Sequence, residues 1–577
     1  MKSNFLAIGA VAALATSALV AGAAVELSRP LGDNMVLQAG MEVPVWGTAS
    51  PGEPVRVSFA GQTQATTAGP DGKWMVRLKP LQYAPGHRPQ EMLVSGRDST
   101  LTVRNILVGQ VWFCGGQSNA TRPAGTTTTA RTAISRSANP LLRLCSQKKN
   151  YPAKGDPSGC WHEADPRTTP AFSAIGYYFG RELQKKLNTP VGIIFAGVGA
   201  TKMRQWISTG AAMAEPAYGL KPGDQDPSVG KLFEAYIRPT APYAVTGFIW
   251  YQGEGDAGGY SEFAGRLTAL IGDWRRTWGR ENLAFLVVQL PPFAERTGHY
   301  YPMVWEAQRQ VAARVPHVGT IVGLPAMSFH NIHPPNKEPL GRLAALQAMK
   351  LAYGRTKVVA EGPTFRSQEI RDGQVILHFD NVGSGLAGFT RHLLGFSIAG
   401  SDGKHVPADA VIGPDGAVHV VSAEVADPVS VRYTQSVNGV LDEVELSQQT
   451  VEKFLKTAAL ADVPYFEKRG NGIIIDLDLV GGDRPAQRST DSTLEGFAIA
   501  GEDGVFVEAA ARIVGQTVVV SSPNVPHPVG VRYGWYAHAG EQEKQLLPAT
   551  LYNREGLPAG GFRTDNFNLA TRKTPVN

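Results

Sequence analysis

Between residues 106 and 355, continuous apolar runs alternate with amphipathic segments. The runs read as buried strands, and the segments between them carry the apolar spacing of helices. Strands that are apolar on both faces predict a parallel sheet covered by helices on both sides. In such a sheet, catalytic groups lie beyond the carboxyl ends of the strands. The predicted strands are ILVGQVWFC, LLRLC, VGIIFAG, VTGFIWY, AFLVVQL and VGTIVGL, and the predicted helices are Ser173–Asn188, Tyr260–Trp278, Val304–Val315 and Lys337–Tyr353.

The chain on either side of this α/β region reads as β-structure. Before it, short alternating runs separated by Pro-Gly and Asp-Gly turns predict a β-sandwich. After it, GFSIAG and PVSVRY (395–400 and 428–433) recur about 100 residues later as GFAIAG and PVGVRY, which indicates a duplicated β-domain. We therefore predict an N-terminal β-module (24–104), an α/β catalytic domain (105–355) and two copies of one C-terminal β-domain (356–460 and 461–577).

The first 23 residues have the layout of a secretory signal peptide. Lys2 precedes an apolar run from Phe5 to Val20, and Ala21-Gly22-Ala23 matches an A-x-A cleavage site. The alternative is a membrane anchor, but the run is short for a span of about 20 residues. We predict cleavage near Ala23 and a mature protein that is periplasmic or secreted, without stable membrane insertion.

Composition excludes several classes of function. A net charge of +5 over 577 residues, with 18% charged residues, does not fit a nucleic-acid binder with a concentrated basic stripe. Three cysteines without a CxxC pair argue against a zinc site. Cys145 and Cys160 are compatible with one disulfide in an exported protein, whereas Cys114 lies in an apolar run and reads as a buried strand residue.

Four polar motifs follow predicted strands. Taken alone, each is more often an ordinary loop than a catalytic site, because serine needs a base and glycine is common in turns. Taken together, the chain order Ser, Gly, Gln, His is far more specific, and it is the order found in SGNH hydrolases. The motifs are GGQSN (115–119), GVGAT (197–201), WYQGEGD (250–256) and HNIHPPNK (330–337).

The chain resembles the sialate O-acetylesterase family of SGNH-superfamily carbohydrate acetylesterases. The resemblance spans almost the whole mature sequence and includes LVGQVWFCGGQSN, SAIGYYFGRELQKKL, GFIWYQGEGDA, NIHPPNKEPLGRLA and LYNREGLPAGGFRTD. It implies a flavodoxin-like α/β domain with a parallel sheet, flanked by all-β sandwich-type modules. It also implies a hydrolase that removes O-acetyl groups from sugars without a cofactor.

The resemblance assigns roles to individual residues. Ser118 is the implied nucleophile and His333 the implied general base. The backbone N–H of Ser118, Gly199 and Gln252 would form the oxyanion hole. Asn119 and Trp206 are expected at the site as substrate-binding residues.

Two departures from the family pattern affect these roles. Asn331 stands where the family usually has an aspartate two residues before the histidine, and His330 is not a carboxylate either. We therefore expect Glu254 of the QGE motif to orient His333, with Asn331 as the alternative. The second departure is Ala200, at a position where the family commonly has glycine.

Three functions remain open from the sequence. The first is an esterase for acetylated sialic acids, and the second is an esterase for acetylated plant cell-wall polysaccharide. The third is a catalytically impaired carbohydrate-binding relative, because the aspartate is missing at Asn331. The expected partner is an acetylated glycan, and the sequence does not define the acetylated hydroxyl or the oligomeric state.

Overall fold

A computed structural model describes residues 24–148, 151, 160–221, 223–291, 301–326, 331–371, most of 374–433, and separate strands between 466 and 563. The predicted signal peptide (1–23) and His330 lie outside the described residues. Among the helices that the structure describes, none combines the length and the apolar character needed to cross a membrane.

The N-terminal β-module continues directly into the central sheet. β1, β3 and β6 form one antiparallel sheet, while β4 pairs with β5 and β7. The first part of β8 pairs with β7, and its second part is a central strand of the α/β sheet, so one strand crosses the predicted boundary at residue 104. The strands are β1 (Glu26–Leu27), β2 (Val36–Gln38), β3 (Val43–Thr48), β4 (Pro54–Phe59), β5 (Gln62–Thr67), β6 (Lys73–Leu78), β7 (Gln90–Ser95) and β8 (Thr100–Gly116).

The central region contains six parallel strands in the order β9-β11-β8-β12-β13-β14, with β10 antiparallel at the β9 edge. The strands are β9 (Asn139–Ser146), β10 (Trp161–Ala164), β11 (Val191–Gly197), β12 (Gly247–Tyr251), β13 (Ala284–Val288) and β14 (Val318–Ile321). The helices are α1 (Ser118–Thr121), α2 (Ala130–Ser135), α3 (Ala174–Leu187), α4 (Thr209–Ala214), α5 (Arg238–Thr240), α6 (Phe263–Thr277), α7 (Tyr301–Arg314) and α8 (Glu338–Leu351).

Successive residues of β8 enter different cores, which explains its continuous apolar sequence. Trp112 and Cys114 join the core that contains α3 and α8. Phe113 joins the core that contains α6, α7 and the N-terminal module. The parallel sheet covered on both faces is thus confirmed. Cys145 and Cys160 form a disulfide between the end of β9 and the start of β10, and Cys114 is a buried free cysteine.

The duplicated sequence has the same strand order in both copies. The first copy has the sheet order β15-β16-β22-β21-β18 and a second sheet that contains β20-β19-β23. The second has the orders β24-β25-β30-β29-β26 and β28-β27-β31. The first-copy strands are β15 (Thr364–Arg371), β16 (Gln374–Asp380), β17 (Leu386–Gly388), β18 (His392–Leu393), β19 (Phe396–Ala399), β20 (Val406–Pro407), β21 (Asp409–Ile412), β22 (Val418–Val421) and β23 (Ser430–Tyr433).

The last strands of the chain return to the first copy. β32 pairs with β17, and β33 pairs with β23. This pairing differs from the predicted boundaries, which placed every residue from 461 to 577 in the second copy. The remaining strands are β24 (Phe466–Arg469), β25 (Gly472–Asp476), β26 (Thr493–Leu494), β27 (Phe497–Ala500), β28 (Val507–Glu508), β29 (Ala510–Val514), β30 (Thr517–Ser521), β31 (Gly530–Tyr533), β32 (Leu551–Asn553) and β33 (Phe562–Arg563).

Candidate active site

Three of the four motif loops leave the sheet at the same level. In the parallel register, Gly116 at the end of β8 lies opposite both Gly197 of β11 and Tyr251 of β12. Gly116 has φ of 145°, and a Cβ at this position would collide with the carbonyl group of Tyr251. Glycine therefore allows the close approach of the two strand ends that brings the Ser118 turn beside the WYQGE loop.

The backbone N–H groups of Ser118 and Gly199 have no hydrogen-bond acceptor among the described residues. Ser118 is half-buried at the start of α1, and a Cβ on the exposed Gly199 would lie 3.7 Å from the Ser118 Cβ. Neither the Ser118 nor the Gly199 N–H donates a hydrogen bond to another described residue. Free N–H groups next to a hydroxyl are suited to stabilise the oxyanion of an acyl-transfer intermediate. Ala200, with φ of 56°, takes the left-handed conformation that favours the family's glycine.

Gln252 does not offer its amide to this site. Its Nε2 donates to the Asp256 carboxylate at 2.6 Å and to the Thr201 carbonyl at 3.2 Å, and the side chain is completely buried. Asp256 Oδ2 also accepts the N–H of Met203. Because both amide hydrogens have protein acceptors, the structure does not present the Gln252 amide beside Ser118, and its oxyanion role stays a prediction. The side chain instead ties the loop after β12 to the loop after β11.

Trp206 and Asn119 are likewise buried rather than presented to a sugar. Trp206 has no exposed surface, donates its indole N–H to Thr201 Oγ1 at 3.0 Å and stacks on Tyr236. Asn119 also has no exposed surface. Neither side chain is exposed for direct contact with a sugar here, and their substrate-binding role stays a prediction. Their burial could not be predicted from the sequence, because both lie in segments after strands where the direction of the chain decides exposure.

Asn119 connects three of the motifs. Its Oδ1 accepts a hydrogen bond from Lys337 Nζ at 2.6 Å. Its Nδ2 donates to Glu254 Oε1 at 2.5 Å and to the Ile332 carbonyl at 2.9 Å. The residue next to the proposed nucleophile is thus bonded to the QGE loop, to the residue before His333 and to Lys337, which immediately precedes α8.

His333 lies in a loop that is stabilised by the side chain of Asn331, two residues earlier in the chain. Asn331 Oδ1 accepts the backbone N–H of His333 at 2.9 Å, so Asn331 holds the loop and not the imidazole. Burial lowers the pKa of His333 below its usual value, and the cations Lys337 and Arg122 lower it further. No hydrogen bond joins the imidazole to Glu254, although both residues are described. The expected contact between Glu254 and the His333 ring is not made.

Lys337 is a site residue to which the motif analysis assigned no role, although it ends the HNIHPPNK motif. Its side chain is completely buried, and its Nζ also donates to the Tyr251 hydroxyl at 3.2 Å. Burial lowers the pKa of Lys337 to about 7, against the opposing effect of Glu254, and burial also raises the pKa of Glu254. One feature of the sequence could have indicated a special role for Lys337. It stands at the N-terminus of a predicted helix, where the helix dipole disfavours a cation.

The described residues offer no candidate metal centre. Within the described ranges, no three His, Cys, Asp or Glu side chains cluster as ligands of a metal would. The arrangement of Ser118, its free N–H neighbours and the His333 loop instead suits acyl transfer.

Comparison with known proteins agrees with this chemistry. Residues 108–340 match the sequence model of the family "Carbohydrate esterase, sialic acid-specific acetylesterase". The chain is 27% identical to human sialate O-acetylesterase over 396 residues, which is 59% of this chain and 74% of the human protein. The rat sialate O-acetylesterase is 24% identical over 398 residues, which is 56% of this chain and 73% of the rat protein.

The similarity extends to a solved structure. A carbohydrate acetylesterase from Xanthomonas citri superimposes with a TM-score of 0.67 at 27% identity, over 94% of this chain and all of that chain. This agreement confirms the SGNH-type α/β domain with its flanking β-modules. Residues 108–340 therefore form a domain that matches the sialic acid-specific acetylesterase family of carbohydrate esterases, and the chain is a carboxylic ester hydrolase.

Proposed function

We propose that the protein is an exported serine esterase that removes O-acetyl groups from sugars through an acetyl-serine intermediate. The observation that carries this proposal is the half-buried Ser118 beside the free N–H groups of its own backbone and of Gly199. The loop of His333 is bonded to the same region through Asn119. This arrangement supports the assignment of Ser118 as nucleophile, His333 as base and the two N–H groups as oxyanion donors.

The reaction proceeds in two steps. His333 accepts the Ser118 hydroxyl proton while Oγ attacks the acetyl carbonyl, and the oxyanion receives hydrogen bonds from Ser118 N–H and Gly199 N–H. The carbon–oxygen bond to the sugar breaks, and the sugar oxygen takes the proton from His333. Water then gives a proton to His333 and attacks the acetyl-serine, which releases acetate and restores Ser118. The lowered pKa of His333 keeps its imidazole neutral and ready to act as a base near pH 7.

The proposed substrate is an O-acetylated sialic acid, in keeping with the matched family and the human relative. Acetylated plant polysaccharide is the second candidate, because the Xanthomonas citri protein that covers most of this chain is described only as a carbohydrate acetylesterase. Acetate release from O-acetylated sialic acids should exceed release from acetylated xylan or xyloglucan oligosaccharides at equal ester concentration. The reverse ranking would favour the plant polysaccharide. Sugar binding without acetate release would indicate the impaired carbohydrate-binding relative.

Asn331 provides a test of the His333 loop. Asn331→Ala should lower kcat about fivefold, because it removes an acceptor worth about 1 kcal/mol from the His333 N–H. Asn331→Asp keeps the acceptor and adds a negative charge near His333. It should therefore retain activity, and the acidic limb of its pH–rate profile should move to higher pH because the pKa of His333 rises. Full activity in Asn331→Ala would contradict this role.

A further inference from the structure

A buried polar cluster lies beneath the proposed catalytic residues, and none of its side chains has been given a chemical step. It consists of Lys337, Asn119 and Glu254, with the Tyr251 hydroxyl as a further contact. We propose that Lys337 is a positioning residue that, together with Glu254, fixes the amide of Asn119 and thereby holds the His333 loop against Ser118. This inference rests on the proposed function.

The position of the Lys337 ammonium is set by rigid surroundings. Lys337 immediately precedes α8, and α8 packs closely on α3 at Gly341, where an added Cβ would lie 2.7 Å from the backbone nitrogen of Phe179. The ammonium also lies over the Tyr251 ring, 4.9 Å from its centre. A cation held by helix packing and by an aromatic face has few alternative positions, so Asn119 Oδ1 meets a fixed donor.

The chemistry of the neighbours determines the orientation of the Asn119 amide. An ammonium group only donates hydrogen bonds, and an ionised carboxylate only accepts them. Oδ1 must therefore face Lys337, and Nδ2 must face Glu254. In this orientation the second Nδ2 hydrogen is donated to the carbonyl of Ile332, which is the residue before His333. Asn119 itself is the residue after Ser118. One amide thus links the chain segments of the nucleophile and the base.

The Lys337 and Glu254 charges compensate each other in the protein interior, so a variant that removes only one of them is expected to be unstable. Lys337 is completely buried, and Glu254 Oε2 is buried without a hydrogen-bond partner among the described residues. Removal of either charge alone would leave the other uncompensated in the interior, which is strongly destabilising. Replacement of both charges avoids this difficulty. The double variant Lys337→Met/Glu254→Gln keeps an acceptor for Asn119 Nδ2 but removes the donor to Oδ1.

The test compares this double variant with Lys337→Met, Glu254→Gln and the wild type, in the full chain. Lys186→Met is the matched control, because it makes the same change at an exposed lysine of α3. We expect the double variant to unfold at a temperature close to that of the wild type. Its kcat should fall about 100-fold with KM nearly unchanged, because Lys337 shapes the reacting geometry and has no exposed surface for a sugar.

The pH profile supplies a readout that a merely structural role would not move. Lys337 and Arg122 are the charged groups that act on His333 among the described residues, and both lower its pKa. Loss of the Lys337 charge should raise the pKa of His333, so the acidic limb of kcat/KM should move to higher pH in both Lys337 variants. Glu254→Gln alone should move that limb in the same direction, because loss of the carboxylate lowers the pKa of Lys337 further and so weakens its positive charge.

Two results would overturn the proposal. One is a double variant whose kcat stays within about twofold of the wild type, and the other is a raised KM with unchanged kcat, which would indicate direct sugar contact. The control on the proposed function is separate. If the wild type hydrolyses 4-nitrophenyl acetate and Ser118→Ala does not, the esterase assignment stands whatever the Lys337 variants do. If Ser118→Ala is as active as the wild type, the esterase assignment itself fails.

Discussion

Ser118→Ala should abolish ester hydrolysis, with kcat lowered by about three powers of ten or more. The variant keeps the Ser118 and Gly199 N–H groups and the bonds of Asn119, so the fold and the oxyanion donors remain. It lacks only the oxygen that attacks the acetyl carbonyl. The rate is measured with 4-nitrophenyl acetate. Intact-protein mass after a rapid acid quench should show one added acetyl group on the wild type and none on the variant.

Ser135→Ala is a suitable control for this experiment. Ser135 ends α2 on an exposed surface, where its hydroxyl donates to the Thr132 carbonyl, so its loss removes a hydroxyl without touching the site. Its kcat should equal that of the wild type. Near-normal turnover by Ser118→Ala, or an acetyl group trapped on it, would contradict the assignment of the nucleophile.

The positions of the catalytic loops could be predicted from the sequence because they depend on strand order and register. Ser118 and Gly199 each follow an apolar run, and parallel strands bring the ends of such runs to one edge. Any chain with these runs in neighbouring strands would place the two residues close together. The resemblance then added the expectation that Ser118 is the residue that reacts.

The directions of the polar side chains could not be predicted in the same way. Gln252 turns to Asp256, and Glu254 turns to Asn119, although both residues follow the same strand. These choices depend on loops that are distant in sequence, such as the carbonyl of Thr201 for Gln252. The role of Lys337 is a further case, because its partner Asn119 is 218 residues away and no local pattern connects the two.

In the C-terminal repeat, too, contacts between residues that are distant in the chain could not be predicted from the sequence. Sequence similarity between the copies corresponds to a common strand order, because the same alternation of buried and exposed residues is repeated. The return of β32 and β33 to the first copy involves pairings such as Leu386 with Asn553, which no local pattern reveals. Long-range strand pairing is therefore where the sequence-based boundaries and the structure differ.

Gly116→Ala should be the most damaging single substitution in the sheet that supports the site. A Cβ at residue 116 would collide with the Tyr251 carbonyl oxygen, lie 2.7 Å from its carbon and 3.0 Å from the Ala120 Cβ. Two of these atoms are backbone atoms of the neighbouring strand, so a side-chain rotation cannot relieve the collision. The φ of 145° adds strain for any residue with a Cβ. Together these effects should lower the free energy of unfolding by about 3 kcal/mol or more.

Activity should fall together with stability in Gly116→Ala, because the Tyr251 carbonyl also accepts the N–H of Gln117, the residue before Ser118. The measurement is urea unfolding followed by tryptophan fluorescence, together with kcat on 4-nitrophenyl acetate. Gly210→Ala is the matched control, because it adds the same methyl group in α4, where a Cβ meets no atom within 4 Å. It should raise the free energy of unfolding by about 0.5–1 kcal/mol. If Gly116→Ala kept the wild-type unfolding midpoint and activity, the strand ends would not need this close approach. The Ser118 turn would then owe its position to other contacts, such as the hydrogen bonds of Asn119 to Glu254, Ile332 and Lys337.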